Sequence, residues 1–143
     1  MTREQAPARS DFKAWRCFTT RWSDNDVYGH VNNMIFYQWF DSAVNGWLIE
    51  QELLDIEQGS PICLVVKTSC TYFAPLTFPQ DVEVGLAVVE LGRSSIRYSI
   101  GIFSCVQEHA AARGEFVHVV VDRESRRPMP IPPPWRAKFE LIR

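Results

Sequence analysis

Two acids two residues apart, Asp24 and Asp26, stand with His30 in a polar, turn-prone stretch running from Ser23 to Asn33 (SDNDVYGHVNN). A carboxylate can attack a carbonyl carbon or take a proton from water. The stretch leads into a run with helical periodicity, and a helix start offers unpaired backbone amides that can receive a developing oxyanion. Asn32 or Asn33 is the expected N-cap of that helix. Taken alone, Asp26 reads most simply as a loop acid capping a turn. His30, with an ordinary pKa of about 6.5, could act as a general base or as a hydrogen-bonded support. The spacing of Asp24, Asp26 and His30 matches no helical or finger-type ligand pattern, so no metal is expected there.

The elements that must position these residues follow from periodicity. Residues 12–22 (FKAWRCFTTRW) read as a first strand, rich in aromatics and threonines. Gly29 marks a point in the loop that needs a positive φ or a close backbone approach. From Met34 to Glu52, Phe36, Phe40, Ala43, Val44, Trp47 and Leu48 recur at three- and four-residue steps, one apolar helical face. Met34, Ile35, Tyr37 and Trp39 extend the apolar surface to other sides, which predicts a buried helix. Asn45-Gly46 in its middle lowers helix propensity and predicts tight packing at that point. Four extended segments follow at 61–74, 81–91, 94–106 and 110–122, joined by short connections that predict an antiparallel meander. The ending RRPMPIPPPWRAKFELIR carries five prolines and is expected to be mostly irregular.

One strand, one long helix and four strands predict an α+β fold: a curved antiparallel sheet wrapped around one central helix. An SH3-like barrel lacks the helix, and a ferredoxin-like fold needs two. The 143 residues suit one domain, 11–143, behind a polar tail at 1–10 expected to be flexible. A small five-stranded sheet leaves an edge strand open, which favours a homo-oligomer. The net charge of −2 argues against nucleic-acid binding by bulk charge. No apolar run is long enough for a bilayer span, and the N-terminus lacks a signal-peptide core, so no membrane partner and a cytoplasmic location are expected. Cys17, Cys63, Cys70 and Cys105 show no CxxC spacing and read as buried reduced thiols.

Residues 21–40, RWSDNDVYGHVNNMIFYQWF, resemble the signature of the 4-hydroxybenzoyl-CoA thioesterase family of hotdog-fold proteins, in its DxDxxGHVNN branch. TYFAPLTFPQDVEV, LGRSSIRYSI and VVVDRESRRPMPIPPPWR extend the likeness over roughly residues 12–136. The resemblance implies a hotdog fold whose dimers, or tetramers built from them, place active sites at the subunit interface. It implies an acyl-CoA thioesterase that yields free acid and CoA, with no cofactor beyond the coenzyme A of the substrate.

By motif position Asp26 matches the catalytic carboxylate, as nucleophile or general base, and the Asn33 backbone amide matches the oxyanion donor. His30 and Asp24 take supporting roles. Arg93 and Ser95 fall where related thioesterases hold the CoA phosphates, with Arg97 two residues on; a planar guanidinium fork suits phosphate. Lys67 is a weaker candidate, and Tyr37, Phe40, Tyr72 and Phe73 are candidates for the acyl pocket or for plain core. The competing reading is a non-catalytic hotdog protein that binds acyl-CoA or acyl carrier protein thioesters. A hotdog dehydratase, which pairs a histidine with an acid elsewhere in the fold, matches the motif poorly.

Overall fold

The computed structural model describes residues 4–143. Strand β1 (Ala14–Thr19) leads through the polar loop to helix α1 (Asn33–Glu50). Strands β2 (Ile62–Tyr72), β3 (Asp81–Leu91), β4 (Ser95–Ser104) and β5 (Ala112–Val121) follow, and helix α2 (Pro133–Glu140) closes the chain. The five strands form one antiparallel sheet in the order β1-β3-β4-β5-β2, wrapped around α1. This is the hotdog arrangement. Only β3, β4 and β5 make the simple meander expected; β2 crosses to pair with β5, so β1 and β2 are the two edges.

The predicted helical face is the buried one: Phe36, Phe40, Ala43, Val44, Trp47 and Leu48, joined by Trp39, pack into the core. Against them stand Val82, Val84, Ile96, Tyr98, Ile100 and Ile102 from β3 and β4. The helix is not buried all round, however, because Met34, Tyr37 and Ile49 lie exposed on its other side. Gly46 is the close approach that the sequence foretold. The Arg16 guanidinium of β1 lies directly over it, where any Cβ would collide, and forms an ion pair with Glu50 one turn on.

The outer face of the sheet carries a second, smaller cluster. Phe12 packs over Gly85 and Gly101, a cross-strand pair of β3 and β4, and a Cβ on either would come within 2.7 or 2.6 Å of its ring. Arg9 lies over the Phe103 ring and donates to Glu83 at 3.2 Å and to the Ser104 carbonyl at 3.0 Å. Ala8 bridges to His109, and the Pro7 carbonyl accepts from the Ala110 amide. The expected flexible tail thus falls partly on residues 1–3, outside the described residues, while from Pro7 onward the chain is tied to the sheet.

The C-terminal expectation needs correction, since residues 133–140 are helical rather than irregular. Pro133 and Pro134 occupy the first turn, where a proline's missing N–H costs nothing and its fixed φ fits. Phe139 then buries fully against Trp47 and Tyr98. The cysteines also differ from expectation: Cys17 and Cys105 are exposed, and Cys63 and Cys70 are partly buried, all as free thiols. Burial pushes the Cys63 thiol up to about 12, which makes it inert.

His118 of β5 is fully buried, with Nδ1 3.2 Å from the Tyr98 hydroxyl. Burial lowers its pKa from 6.5 to about 4. Between those values the unfolded chain binds a proton that the folded chain refuses. Stability is therefore full above pH 6.5 and falls as the pH drops toward 4, by about 3 kcal/mol in total. Urea titrations at pH 7.5 and 4.5 should show this loss, and His118→Gln should remove that share of the pH dependence. An unchanged slope in the variant would show that other groups carry it.

Candidate active site

The loop between β1 and α1 is held by contacts at both its ends. The Asp24 carboxylate, almost fully buried, accepts from the Arg21 amide at 2.8 Å and from the Arg21 guanidinium at 3.0 and 2.9 Å. Its carbonyl accepts from the Asn32 amide at 2.8 Å. Asp24 is thereby committed to ordering the loop. Asp24→Ala should lower stability by about 2 kcal/mol, since it strips charge-assisted bonds from buried groups. Thermal melts beside activity assays would test this, and a variant as stable as wild type but inactive would move the chemistry to Asp24.

Asp26 sits differently. One carboxylate oxygen, Oδ1, accepts from the Tyr28 amide at 2.8 Å and at longer range from the His30 amide at 3.4 Å. Its own amide donates to the His30 carbonyl at 2.8 Å, and Gly29 closes the turn at φ 82°. The turn-capping role read from the sequence is real, yet it uses only Oδ1. The other oxygen, Oδ2, has no hydrogen-bond partner among the described residues, and Asp26 lines a cavity of about 360 Å3.

Four further residues line that cavity on the side of Asp26: His30, Val31, Asn33 and Phe36. Asn32, not Asn33, is the N-cap, with its side chain accepting from the Met34 amide at 3.0 Å. Asn33 is the first helical residue, so its amide is among those that helix geometry leaves without an intrahelical acceptor. The opposite wall is Tyr72 and the segment Phe73–Leu76 that follows β2. This segment pins the loop, because the Leu76 carbonyl accepts from the Val31 amide at 2.8 Å and Thr77 Oγ1 donates to the Gly29 carbonyl at 2.8 Å. Neither Thr77 nor Leu76 could be found from spacing, since each acts across 45 or more residues.

A half-buried carboxylate and a free helix-start amide facing one cavity form a constellation that can attack a carbonyl and hold the oxyanion. Among the acyl-pocket candidates, Tyr72 and Phe73 line the cavity, with Phe36 edge-on to Tyr72 at 5.1 Å. Phe40 is fully buried core instead, and Tyr37 packs on it outside the cavity.

The basic candidates lie elsewhere. Arg93, Ser95 and Arg97 belong to the β3–β4 turn and the start of β4, whereas Asp26 lies beyond the opposite end of the sheet, where Thr19 pairs with Asp81. At about 3.3 Å per residue, β3 alone separates them by roughly 30 Å. One chain therefore does not bring them together. The turn is well braced: the Gly92 carbonyl accepts from Arg136 at 2.6 Å and the Arg93 carbonyl from the Ile131 amide at 2.9 Å. Arg97 pairs with Glu90, and Lys67 with Glu115.

Residues 20–139 match the thioesterase-like superfamily, and the chain belongs to that family. The solved PA5185 protein of Pseudomonas aeruginosa is 48% identical over 96% of each chain, with a TM-score of 0.92. The PA2801 protein of the same organism is 28% identical, over 88% of this chain and 97% of its own, with a TM-score of 0.82. A thioesterase of Thermus thermophilus, solved with coenzyme A and zinc, is 26% identical over 92% of this chain and 95% of its own, with a TM-score of 0.78. None of the curated proteins matches the sequence. Among the described residues no helix is long and apolar enough to cross a membrane.

Proposed function

We propose that the protein is an acyl-CoA thioesterase in which Asp26 attacks the thioester carbon or activates water, and the Asn33 amide holds the oxyanion. The observation that carries this reading is that Asp26, whose Oδ2 has no hydrogen-bond partner among the described residues, lines the same cavity as Asn33, the first residue of α1. The likeness of RWSDNDVYGHVNN to the 4-hydroxybenzoyl-CoA thioesterase branch and the coenzyme A held by the Thermus relative support it. His30 lines the cavity but its ring is not needed to hold the turn, which its backbone closes.

The open edge supports a dimer. Strand β2 is eleven residues long with Leu64, Val65 and Val66 exposed, an edge of the kind that pairs with another chain. Two copies joined antiparallel through β2 would set Ile62 of the partner subunit beside Tyr72. The 92–95 turn lies at the Ile62 end of each sheet, because Ile62 pairs with Val121 and Ser95 with Val119. Pairing thus carries Arg93 of the partner subunit to the Asp26 end, about three strand spacings or ~15 Å away laterally. An extended pantetheine arm spans such a gap, so the phosphate site is contributed in trans.

Release of free thiol from a panel of acyl-CoAs, compared with the same acyl groups on free pantetheine, tests the reading. Hydrolysis of both, with a far lower KM for the CoA esters, is expected. Tight binding without any thiol release would favour the non-catalytic alternative.

A further inference from the structure

The cavity at Asp26 shares a wall with a second one of about 520 Å3, on the other side of Phe73–Leu76. Beyond that wall the second cavity is bounded by Gln80 before β3, by Ser104 at the end of β4, by Gln107 and His109 after it, and by Ala110 and Ala111 before β5. Its roof is Ala6 of the N-terminal segment. That roof is held down on both sides of Ala6: Glu4 pairs with Arg113, and the Pro7 carbonyl accepts from the Ala110 amide at 3.0 Å.

The shared wall is tied to β5's approach at one end and to the Asp26 loop at the other. The amides of Phe73 and Ala74 both donate to the Ala111 carbonyl, at 2.8 and 3.1 Å, and the Leu76 carbonyl accepts from Val31. Leu76 is buried, and Ala74 offers only a methyl, so the Phe73 ring is the large side chain that divides the two spaces without being part of the core.

We infer that the second cavity receives the acyl chain, and that Phe73 is the partition that sets how much of it enters. This rests on the thioesterase reading. A thioester held at Asp26 and Asn33 leaves the reacting centre in two directions. The thiol arm runs over the β2 edge toward the partner's 92–95 turn, so the acyl arm points away from that edge, toward Phe73–Leu76. The first cavity must hold the thioester and the adjoining arm, which leaves room for only a few carbons. A longer chain passes Phe73, lies against Ala110 and Ala111, and stops at the polar side chains of Gln107 and His109. The preferred substrates are therefore medium-length linear acyl groups rather than acetyl.

Binding of S-butyl-, S-octyl- and S-dodecyl-CoA thioethers to the full-length protein, measured by calorimetry, tests the inference. Wild type should gain at least roughly tenfold in affinity from butyl to octyl, because buried methylenes each add favourable transfer energy. His109→Trp alters an exposed residue that lines only the second cavity. It should abolish that gain while leaving butyl affinity within about twofold. Phe73→Ala should extend the gain to dodecyl. Wild type with no gain beyond butyl, or His109→Trp binding octyl as tightly as wild type, overturns the inference. The ligands cannot be hydrolysed, so failure of Asp26 catalysis would be seen in turnover and would leave this readout unmoved.

Discussion

Asp26→Asn is expected to lower kcat on an acyl-CoA by about a thousandfold or more, with KM and melting temperature nearly unchanged. The amide is nearly isosteric, and its oxygen can still accept from the Tyr28 and His30 amides, so the turn keeps its shape. What disappears is the negative charge of a carboxylate that lines the cavity. A neutral amide neither attacks a carbonyl carbon nor takes a proton from water, and a thousandfold corresponds to about 4 kcal/mol of transition-state stabilisation. The contrast with Asp24 sharpens the test. Asp24 spends its carboxylate on Arg21, so its loss should be felt first in stability. Steady-state kinetics beside thermal melts separate the two acids, and a fully active Asp26→Asn enzyme would remove the proposed mechanism.

Phe40→Ala is expected to cost about 3–5 kcal/mol of folding stability, the range for deleting a buried phenylalanine. Phe40 is completely buried, and its ring fills the space over Gly114, where a Cβ would come within 2.6 Å. The contact sets α1 against β5 about one turn after Phe36, which lines the cavity. The seating of the helix start, and hence of the Asn33 amide, depends on it. Urea titration would give the value; a loss below about 1 kcal/mol would mean that the helix is seated by other contacts.

Local pattern and long-range contact divide what the sequence made legible. The buried face of α1 was readable because its period is intrinsic to the helix, and Gly46 announced a close approach through its cost to helix propensity. That the approaching group is Arg16 was not readable, since β1 and α1 meet only after the chain folds back. The crossing of β2 to β5 was hidden for the same reason, as short connections favour neighbours. Helix α2 was missed because its prolines were read as breakers, although at Pro133 and Pro134 they occupy the positions where a helix tolerates them.

At the site, the spacing of Asp24, Asp26 and the helix start was visible in the motif. The motif also gave Asp24 a supporting part; what it could not show is the means, burial of that carboxylate against Arg21 while Asp26 lines a cavity. The distance of Arg93 from Asp26 likewise follows from which ends of β3 they occupy, which local spacing does not reveal.

The most direct test of the central claim is a crystal structure of Asp26→Asn with an acyl-CoA bound as its intact thioester. The thioester carbonyl oxygen should lie about 3 Å from the Asn33 amide nitrogen, with the residue 26 side chain facing the carbonyl carbon. A carbonyl bound away from that pair, with Asn33 bonded to solvent alone, would contradict the assignment of the active site.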